Sequence, residues 1–306
     1  MVTRRIIVGY DGSAAANAAM TAGPLLIPDA HAWVAHLWQP PFADGQLRKR
    51  LWSDPGLLDA FVDAVRREGA WRADQLATTG VTLARAAGWD AETLVQPVDG
   101  ARGYGLAQLA QAMDPDVVLV GTRGLSSVPT VTAVLGGVSG ALVRHSPKPV
   151  LILPYPLFRC EHAALQAGPV VVGWDGSPGS EAALVAANRL LPDRDLLLAS
   201  VRRGGVEHAT AGLSPGGGRS VVPVRVRPGH GPHGRTVAEA LAGCARDNAA
   251  ALLVVGSRGR STAREILLGS VAMAALHHAH RPVLIVPQEV PGRAEHMSLK
   301  AGGDRR

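Results

Sequence analysis

Residues 256–271 read GSRGRSTAREILLGSV and decide the fold of this chain. They follow the apolar run ALLVV at 251–255, which has the length and the branched side chains of a buried strand. Glycine at positions 256 and 259 lets the backbone turn tightly and approach a ligand. Nine residues separate Gly259 from Gly269, and Gly269 and Ser270 then begin an apolar helical segment. The unpaired N–H groups at the start of a helix suit a phosphate. The stretch predicts a strand, a glycine turn and a helix start shaped for a nucleotide's ribose and phosphates. The alternative is an ordinary helix start after turn glycines.

The chain repeats its own motifs and therefore contains two related units. The paired segments are VVVGWDGS at 170–177 with IIVGYDGS at 6–13, LLVVGSRG at 252–259 with VVLVGTRG at 117–124, and RPVLIVP at 281–287 with KPVLILP at 148–154. The offset is 164 residues at the aspartate (175 − 11) and 135 at the glycine (256 − 121), so unit two is shorter by 29 residues (164 − 135). Unit one has a helical pattern at 57–77 in this interval. Unit two has only glycine-rich residues 202–220, which we expect to form a loop.

Apolar runs alternate with helical patterns in both units. We expect strands at 6–8, 32–38, 93–98, 117–120 and 150–153 in unit one. In unit two we expect them at 196–201, 221–226, 251–255 and 283–286, and the segment VVVGWDGS at 170–177 repeats the first strand and its turn. This alternation predicts βαβ units and a parallel sheet. Ligands of such sheets bind beyond the carboxyl ends of the strands, where the strand order reverses. Asp11, Asp175 and both glycine turns follow strands directly, so we expect them to lie at that edge.

The composition argues against several functional classes. The chain has 306 residues, a formal net charge of +6 and only three lysines, and its scattered arginines accompany few aromatic residues. We therefore expect no specific nucleic-acid binding, which needs a clustered basic surface. The two cysteines, Cys160 and Cys244, share no motif, which is typical of a reducing cytoplasm. Residues 124–143 are uncharged, but Pro129 and Gly136 interrupt them, so we expect a loop and a helix there and no membrane span.

The strand-Asp-Gly-Ser segments and the Gly-x2-Gly-x9-Gly-Ser motif resemble the universal stress protein family, as a tandem of two such domains. Unit two matches the glycine motif in full. Unit one keeps Gly121 and Gly124, but eleven residues then precede Gly136, and Gly137 stands where the motif has serine, with Ser139 following. The resemblance covers nearly the whole chain and implies ATP binding in the members that carry the motif.

The resemblance also implies which residues contact the nucleotide. Asp11 and Asp175 are expected at the adenosine, a residue late in the second strand (Leu37 or Val201) beside the adenine, and the glycine motifs at the phosphates. The full set is Asp11, Leu37, Gly121, Arg123, Gly124, Gly136, Gly137 and Ser139 in unit one, and Asp175, Val201, Gly256, Arg258, Gly259, Gly269, Ser270 and Val271 in unit two. The two arginines are expected to neutralise phosphate or, as the alternative, to be solvated turn residues.

The expected architecture is α/β, with two tandem five-stranded parallel-sheet domains of the flavodoxin-like or Rossmann-like type. We place domain 1 at residues 1–155, a linker at 156–168, domain 2 at 169–289 and a disordered tail at 290–306. Each domain ends in an apolar edge strand, and exposed edges are usually paired or covered. The resemblance suggests that these two strands meet about a local two-fold axis, which makes the chain an intramolecular pseudo-dimer. A homodimer of the whole chain is left open.

The predicted function is that of a cytoplasmic, ATP-binding regulatory protein of the stress response, with Mg²⁺ carried by the phosphates. Unit two is expected to bind more tightly, because Gly137 lacks the hydroxyl of Ser270, and a side chain at Gly256 or Gly269 is expected to fill the phosphate space. Two alternatives stand: an ATP-independent interaction module, and a slow ATPase, for which the sequence offers no evident base or nucleophile. His277, His278 and His280 have no carboxylate or cysteine near them in sequence, so no metal site is predicted.

Overall fold

A computed structural model describes residues 3–40, 55–122, 137–157, 159–201, 220–259, 268–278 and 280–288. Unit one contains β1 (Arg4–Gly9), α1 (Ala14–Leu26), β2 (Ala30–Trp38), α2 (Pro55–Ala86), β3 (Asp90–Pro97), α3 (Arg102–Met113), β4 (Val117–Gly121), α4 (Gly137–His145) and β5 (Val150–Leu153). After α5 (Arg159–Ala167), unit two contains β6 (Val170–Gly173), α6 (Pro178–Leu190), β7 (Leu196–Ser200), β8 (Val221–Arg225), α7 (His233–Asp247), β9 (Leu252–Gly256), α8 (Ser270–His278) and β10 (Val283–Val286).

The central strands form where short branched or aliphatic runs end at glycine. Ile6, Ile7 and Val8 of β1 are completely buried, and 170–172 of β6 are buried in the same way. Burial on both faces is typical of parallel strands that helices cover on each side. Here α1, α2, α5 and α6 pack on one face of the sheet, and α3, α4, α7 and α8 pack on the other.

The described strands form one ten-stranded sheet in the order β3-β2-β1-β4-β5-β10-β9-β6-β7-β8. Pairs within each unit are parallel, whereas β5 and β10 pair antiparallel at the centre. Leu151 lies opposite Leu284, its equivalent in the repeat (284 − 151 = 133), and Ile152 lies opposite Val283. The self-paired position places a local two-fold axis at Leu151. The predicted α/β class and the meeting of the two end strands about a local two-fold axis are therefore confirmed.

The two units share their hydrophobic core across this central pair. Leu151 and Leu284 belong to one continuous buried cluster, and the opposite face of the sheet holds a second cluster that also spans both units. Arg194, in the turn before β7, adds a polar connection. Its Nη2 donates hydrogen bonds to the carbonyl oxygens of Leu25 in α1 (2.9 Å) and Leu165 in α5 (2.7 Å). The pseudo-dimer is thus held by burial of apolar side chains and by a partly buried polar contact.

Two helices differ from the sequence-based expectation. Helix α2 continues to Ala86 rather than ending near residue 77, because Gly80 fits closely against Tyr10 and Val34 instead of ending the helix. The expected linker contains α5, which buries Leu165 completely against α1. The expected loop at 202–219 and the tail at 290–306 lie outside the described residues. No helix within the described ranges is long and apolar enough to cross a membrane.

Candidate functional site

The carboxyl ends of β1 and β4 border a cleft in unit one. These strands are neighbours in the sheet, yet the chain leaves β1 towards β2 and β3 and returns on the other side as β4. The strand order therefore reverses between them, where α/β proteins bind ligands. The cleft encloses about 590 Å³ of empty space, including solvent at its mouth. Its lining is Gly9, Tyr10, Asp11, Ser13, Ala16, Ala35, His36, Leu37, Arg102, Leu106, Val120, Gly121, Val138 and Ser139.

The walls of the cleft combine an apolar surface with two charged side chains. Leu37, Leu106 and Val120 are buried among the lining residues, and such a surface suits a flat base. Asp11 and Arg102 supply one negative and one positive charge. Helices α1, α3 and α4 also begin beside the cleft, and the positive end of a helix dipole favours an anion. The arrangement can accept a ligand with an apolar ring, hydroxyl groups and negative charge.

The sequence Asp-Gly-Ser builds the floor of the cleft. Gly12 has φ +76°, a conformation that favours glycine, and it turns the chain from β1 into α1. Ser13 caps α1 by accepting a hydrogen bond from the N–H of Ala16 at 3.1 Å. The Oδ1 atom of Asp11 accepts the N–H of Ser13 at 3.0 Å. This bond fixes the carboxylate at the carboxyl end of β1.

His36 and Arg102 are among the lining residues of this cleft that sequence reasoning missed. The Nδ1 atom of His36 lies 2.8 Å from the carbonyl oxygen of Tyr10, across neighbouring strands. The Tyr10 hydroxyl donates to Oδ1 of Asn17 at 2.7 Å, and burial together with the charge of Asp11 raises the pKa of Tyr10. A polar residue late in an otherwise apolar strand is the signal that could have drawn attention to His36.

The part of unit one that was expected to face the phosphates is only partly described. Gly121 ends β4 and Leu37 lies in the cleft wall, as expected. Ser139 is buried, and its hydroxyl donates to the carbonyl oxygen of Gly121 at 2.9 Å, so its proton is directed to the backbone. Gly137 is exposed at the start of α4. The remaining predicted residues of this part, Arg123, Gly124 and Gly136, lie outside the described residues.

Unit two brings its predicted residues together at the ends of β6 and β9. Oδ1 of Asp175 accepts the N–H of Ser177 at 3.0 Å, as its equivalent does in unit one. A Cβ atom placed on Gly259 would lie 3.2 Å from Oδ2 of Asp175, so the glycine turn lies against the carboxylate. The N–H of Gly269 donates to the carbonyl oxygen of Ser257 at 2.7 Å, which joins the start of α8 to the same turn.

Gly256 packs closely against the start of α6. A Cβ atom there would clash with the carbonyl oxygen of Gly179 and lie 2.6 Å from its carbonyl carbon. A side chain at Gly256 would therefore strike the first turn of α6 before it filled any phosphate space. At Gly269 the nearest atom to such a Cβ is the carbonyl oxygen of Ser257, at 3.3 Å. Close packing against α6 is one reason for glycine at position 256, and the expectation that these glycines keep space for phosphates stays a prediction.

The other predicted residues of unit two line the same edge. Arg258 is half-buried in the turn, and Ser270 is exposed as the first residue of α8. The Ser270 side chain lies against Gly234, since a Cβ atom on that glycine would come 2.6 Å from the serine Oγ. Val201 follows β7, and both Val201 and Val271 pack against the core. Within the described part of the chain, no group of three or more His, Cys, Asp or Glu residues is placed to hold a metal ion.

Comparisons with known proteins identify the family of the chain. A sequence profile of the universal stress protein family matches the chain twice, over residues 3–154 and 167–287. These matches cover most of both units, so the chain belongs to the universal stress protein family.

Individual relatives share about a third of their residues with this chain or fewer over the matched regions. One universal stress protein of Mycobacterium tuberculosis is 30% identical over 205 residues, which are 57% of this chain and 63% of that protein. Another from the same organism is 31% identical over 196 residues, with 56% and 60% covered. The chain thus spans less than two thirds of the length of these relatives. The crystal structure of a universal stress protein from Archaeoglobus fulgidus superposes with a TM-score of 0.66 at 16% identity, covering 94% of this chain and all of that one. This likeness shows the fold.

Proposed function

We propose that this chain is a cytoplasmic regulatory protein of the stress response that binds ATP at the carboxyl edge of its sheet. The observation that carries the proposal is the meeting of Asp175, Gly259 and Gly269 at the ends of β6 and β9. The sequence motif and the family resemblance led us to expect these three residues at a nucleotide. Asp175 is far from the two glycines in the chain, and the meeting of all three at one turn is what a shared binding site requires. The cleft at the same edge of unit one supports the proposal.

The residues of this edge fit the chemistry of ATP. A carboxylate held by one N–H bond, as at Asp175, can accept ribose hydroxyls with its second oxygen. Backbone N–H groups of a glycine turn and of the start of α8 suit phosphate oxygens, and the hydroxyl of Ser270 adds a donor. Arg258 supplies positive charge in the same turn. Mg²⁺ would then be carried with the phosphates, since it is usually bound through phosphates and water.

Unit two is the tighter of the two sites in this proposal. In unit one, the hydroxyl of Ser139 already donates its hydrogen bond to the carbonyl oxygen of Gly121, and Gly137 has no hydroxyl. Ser270 is exposed at the corresponding helix start. The loss of one hydrogen bond to a charged group costs about 1.5–3 kcal/mol, which weakens binding roughly tenfold to hundredfold. The unit-one cleft then serves mainly the nucleoside portion of a ligand.

The test is a calorimetric titration with ATP and Mg²⁺ on matched variants. Ser270→Ala should weaken ATP binding at least about tenfold, whereas Ser139→Ala, the same change in the other unit, should alter it less than about threefold. If wild-type protein takes up no ATP at millimolar concentration, the chain is an ATP-independent interaction module. Phosphate release from bound ATP, followed over hours, would instead identify a slow ATPase.

A further inference from the structure

The two units differ at the second residue of the helix that follows their Asp-Gly-Ser turn. Unit one has Ala15 in α1, and unit two has Gly179 in α6 (179 − 164 = 15). A Cβ atom on Gly179 would clash with the carbonyl oxygen of Arg258 and would lie 3.0 Å from its carbonyl carbon. The backbone of the glycine turn therefore rests directly on α6 at a point where a side chain cannot fit.

Gly256, at the start of the same turn, lies against the backbone of Gly179. A Cβ atom on Gly256 would lie 2.9 Å from the Cα of Gly179, so neither position accepts a side chain while the other segment stays in place. In unit one a Cβ atom on Gly121 would lie 2.8 Å from the carbonyl oxygen of Ala15 and 2.9 Å from its methyl group, so the equivalent contact is close but slightly wider. The presence of Ala15 shows that the fold accommodates alanine at this helix position. The glycine in unit two is thus required by the turn and not by the helix.

The turn that rests on Gly179 also places the groups expected to face the nucleotide. Beyond Arg258, Gly259 lies against the carboxylate of Asp175, and the carbonyl oxygen of Ser257 receives the N–H of Gly269. A shift of Arg258 away from α6 would move the turn relative to both the carboxylate and the start of α8. The spacing between the ribose-facing and phosphate-facing groups therefore depends on this contact.

We propose that Gly179 is a positioning residue, which holds the Gly256–Gly259 turn against α6 and so gives unit two its preference for nucleoside polyphosphates over nucleosides. The proposal rests on the proposed function, because it assigns the turn to phosphate. Gly179 itself does not contact the ligand in this account. It acts through the backbone of Arg258.

The direct perturbation is Gly179→Ala, which restores the residue of unit one. Alanine is the best helix former, so α6 itself is not weakened, and the added methyl group acts through the carbonyl group of Arg258. We expect that carbonyl group to move, because a backbone atom at clash distance cannot be relieved by a side-chain rotation. Ala15→Gly is the matched control, since it removes a methyl group at the equivalent position of unit one.

The first measurement is amide hydrogen exchange in the absence of ligand. The N–H of Gly269, bonded to Ser257, reports whether the turn stays in place. Gly179→Ala should speed its exchange at least about tenfold, and Ala15→Gly should leave it unchanged. Unchanged exchange at Gly269 in Gly179→Ala would overturn the positioning role whatever the chain binds.

The second measurement compares ATP with adenosine. Gly179→Ala should weaken the binding of ATP at least about tenfold and the binding of adenosine less than about threefold, because the turn faces the phosphates. Equal losses for both ligands, or none, would refute the assigned preference. If wild-type protein binds neither ligand while exchange at Gly269 still responds, the proposed function fails and the positioning of the turn stands. Should Gly179→Ala not fold, Gly259→Ala perturbs the other end of the turn, near Asp175, and should shift the ATP-to-adenosine ratio in the same direction.

Discussion

Ala249→Asp should stabilise the protein, because unit two lacks a carboxylate that unit one possesses. In unit one, Asp114 has a left-handed backbone with φ 51° and forms an ion pair with Lys148. The repeat places Ala249 (114 + 135) and Arg281 (148 + 133) at these positions. Ala249 keeps the left-handed backbone, with φ 46°. In the part of the chain that the structure describes, Nη1 of Arg281 is buried without a hydrogen-bond partner.

Two effects set the size of the gain. A left-handed backbone costs a non-glycine residue about 1 kcal/mol, and aspartate or asparagine tolerates it better than alanine does. A carboxylate at the exposed position 249 would also pair with the guanidinium of Arg281, and such partly solvated pairs contribute up to about 1 kcal/mol. The free energy of unfolding should therefore rise by about 1–2 kcal/mol.

Urea unfolding followed by tryptophan fluorescence measures this gain. Ala249→Asn relieves the backbone without adding charge and should give about half of the effect. Ala249→Asp combined with Arg281→Met should fall back to the level of Ala249→Asn. The reasoning is refuted if Ala249→Asp is neutral or destabilising, or if it is no more stable than Ala249→Asn.

Three further predictions concern other parts of the molecule. Arg194→Met removes hydrogen bonds to three backbone carbonyls, at 2.7–3.2 Å, and should cost about 2–3 kcal/mol in urea unfolding. Hydrogen bonds to Asp90 and then Glu92 raise the pKa of His31. The contribution of His31 to the free energy of unfolding should be complete below its pKa in the unfolded chain, about 6.5, and should be lost as the pH rises through its pKa in the folded protein. In His31→Gln, the free energy of unfolding should no longer show this loss with pH. Titration with DNA duplexes of different sequence at physiological salt should reveal no preference, and a clear micromolar preference would contradict this.

The central strands could be predicted because they are short apolar runs ended by glycine or proline, whereas β3 begins at Asp90, before the predicted residue 93, because its first residues are polar. The bounds of β5 and β10 agree with the predicted residues, since charged or proline residues flank both runs. Helix α2 continues past the predicted residue 77 to Ala86, with Gly80 inside it. In the folded protein, Gly80 supplies the space that Tyr10 needs. Local sequence patterns therefore predict the strands and helices well. They do not show why a particular position is glycine, because that depends on the residues that pack against it.

The site was predictable where one motif carries it and unpredictable where distant segments meet. Asp175, Gly259 and Gly269 could be grouped in advance because strand ends share one edge of a parallel sheet. The contact of Gly179 with Gly256 joins residues 77 positions apart (256 − 179), and no spacing rule encodes it. The bond from Ser139 to the carbonyl oxygen of Gly121 was missed for the same reason, because it depends on where α4 begins relative to β4.

The most direct test of ATP binding is the nucleotide content of freshly purified protein. The protein is denatured, and the released nucleotides are separated and quantified before and after equilibration with ATP and Mg²⁺. The account predicts adenine nucleotide in the extract, with ATP saturating to about one molecule per chain at moderate concentration because unit two binds first. An extract without adenine nucleotide, together with no uptake at millimolar ATP, would contradict the assignment of this edge of the sheet to a nucleotide.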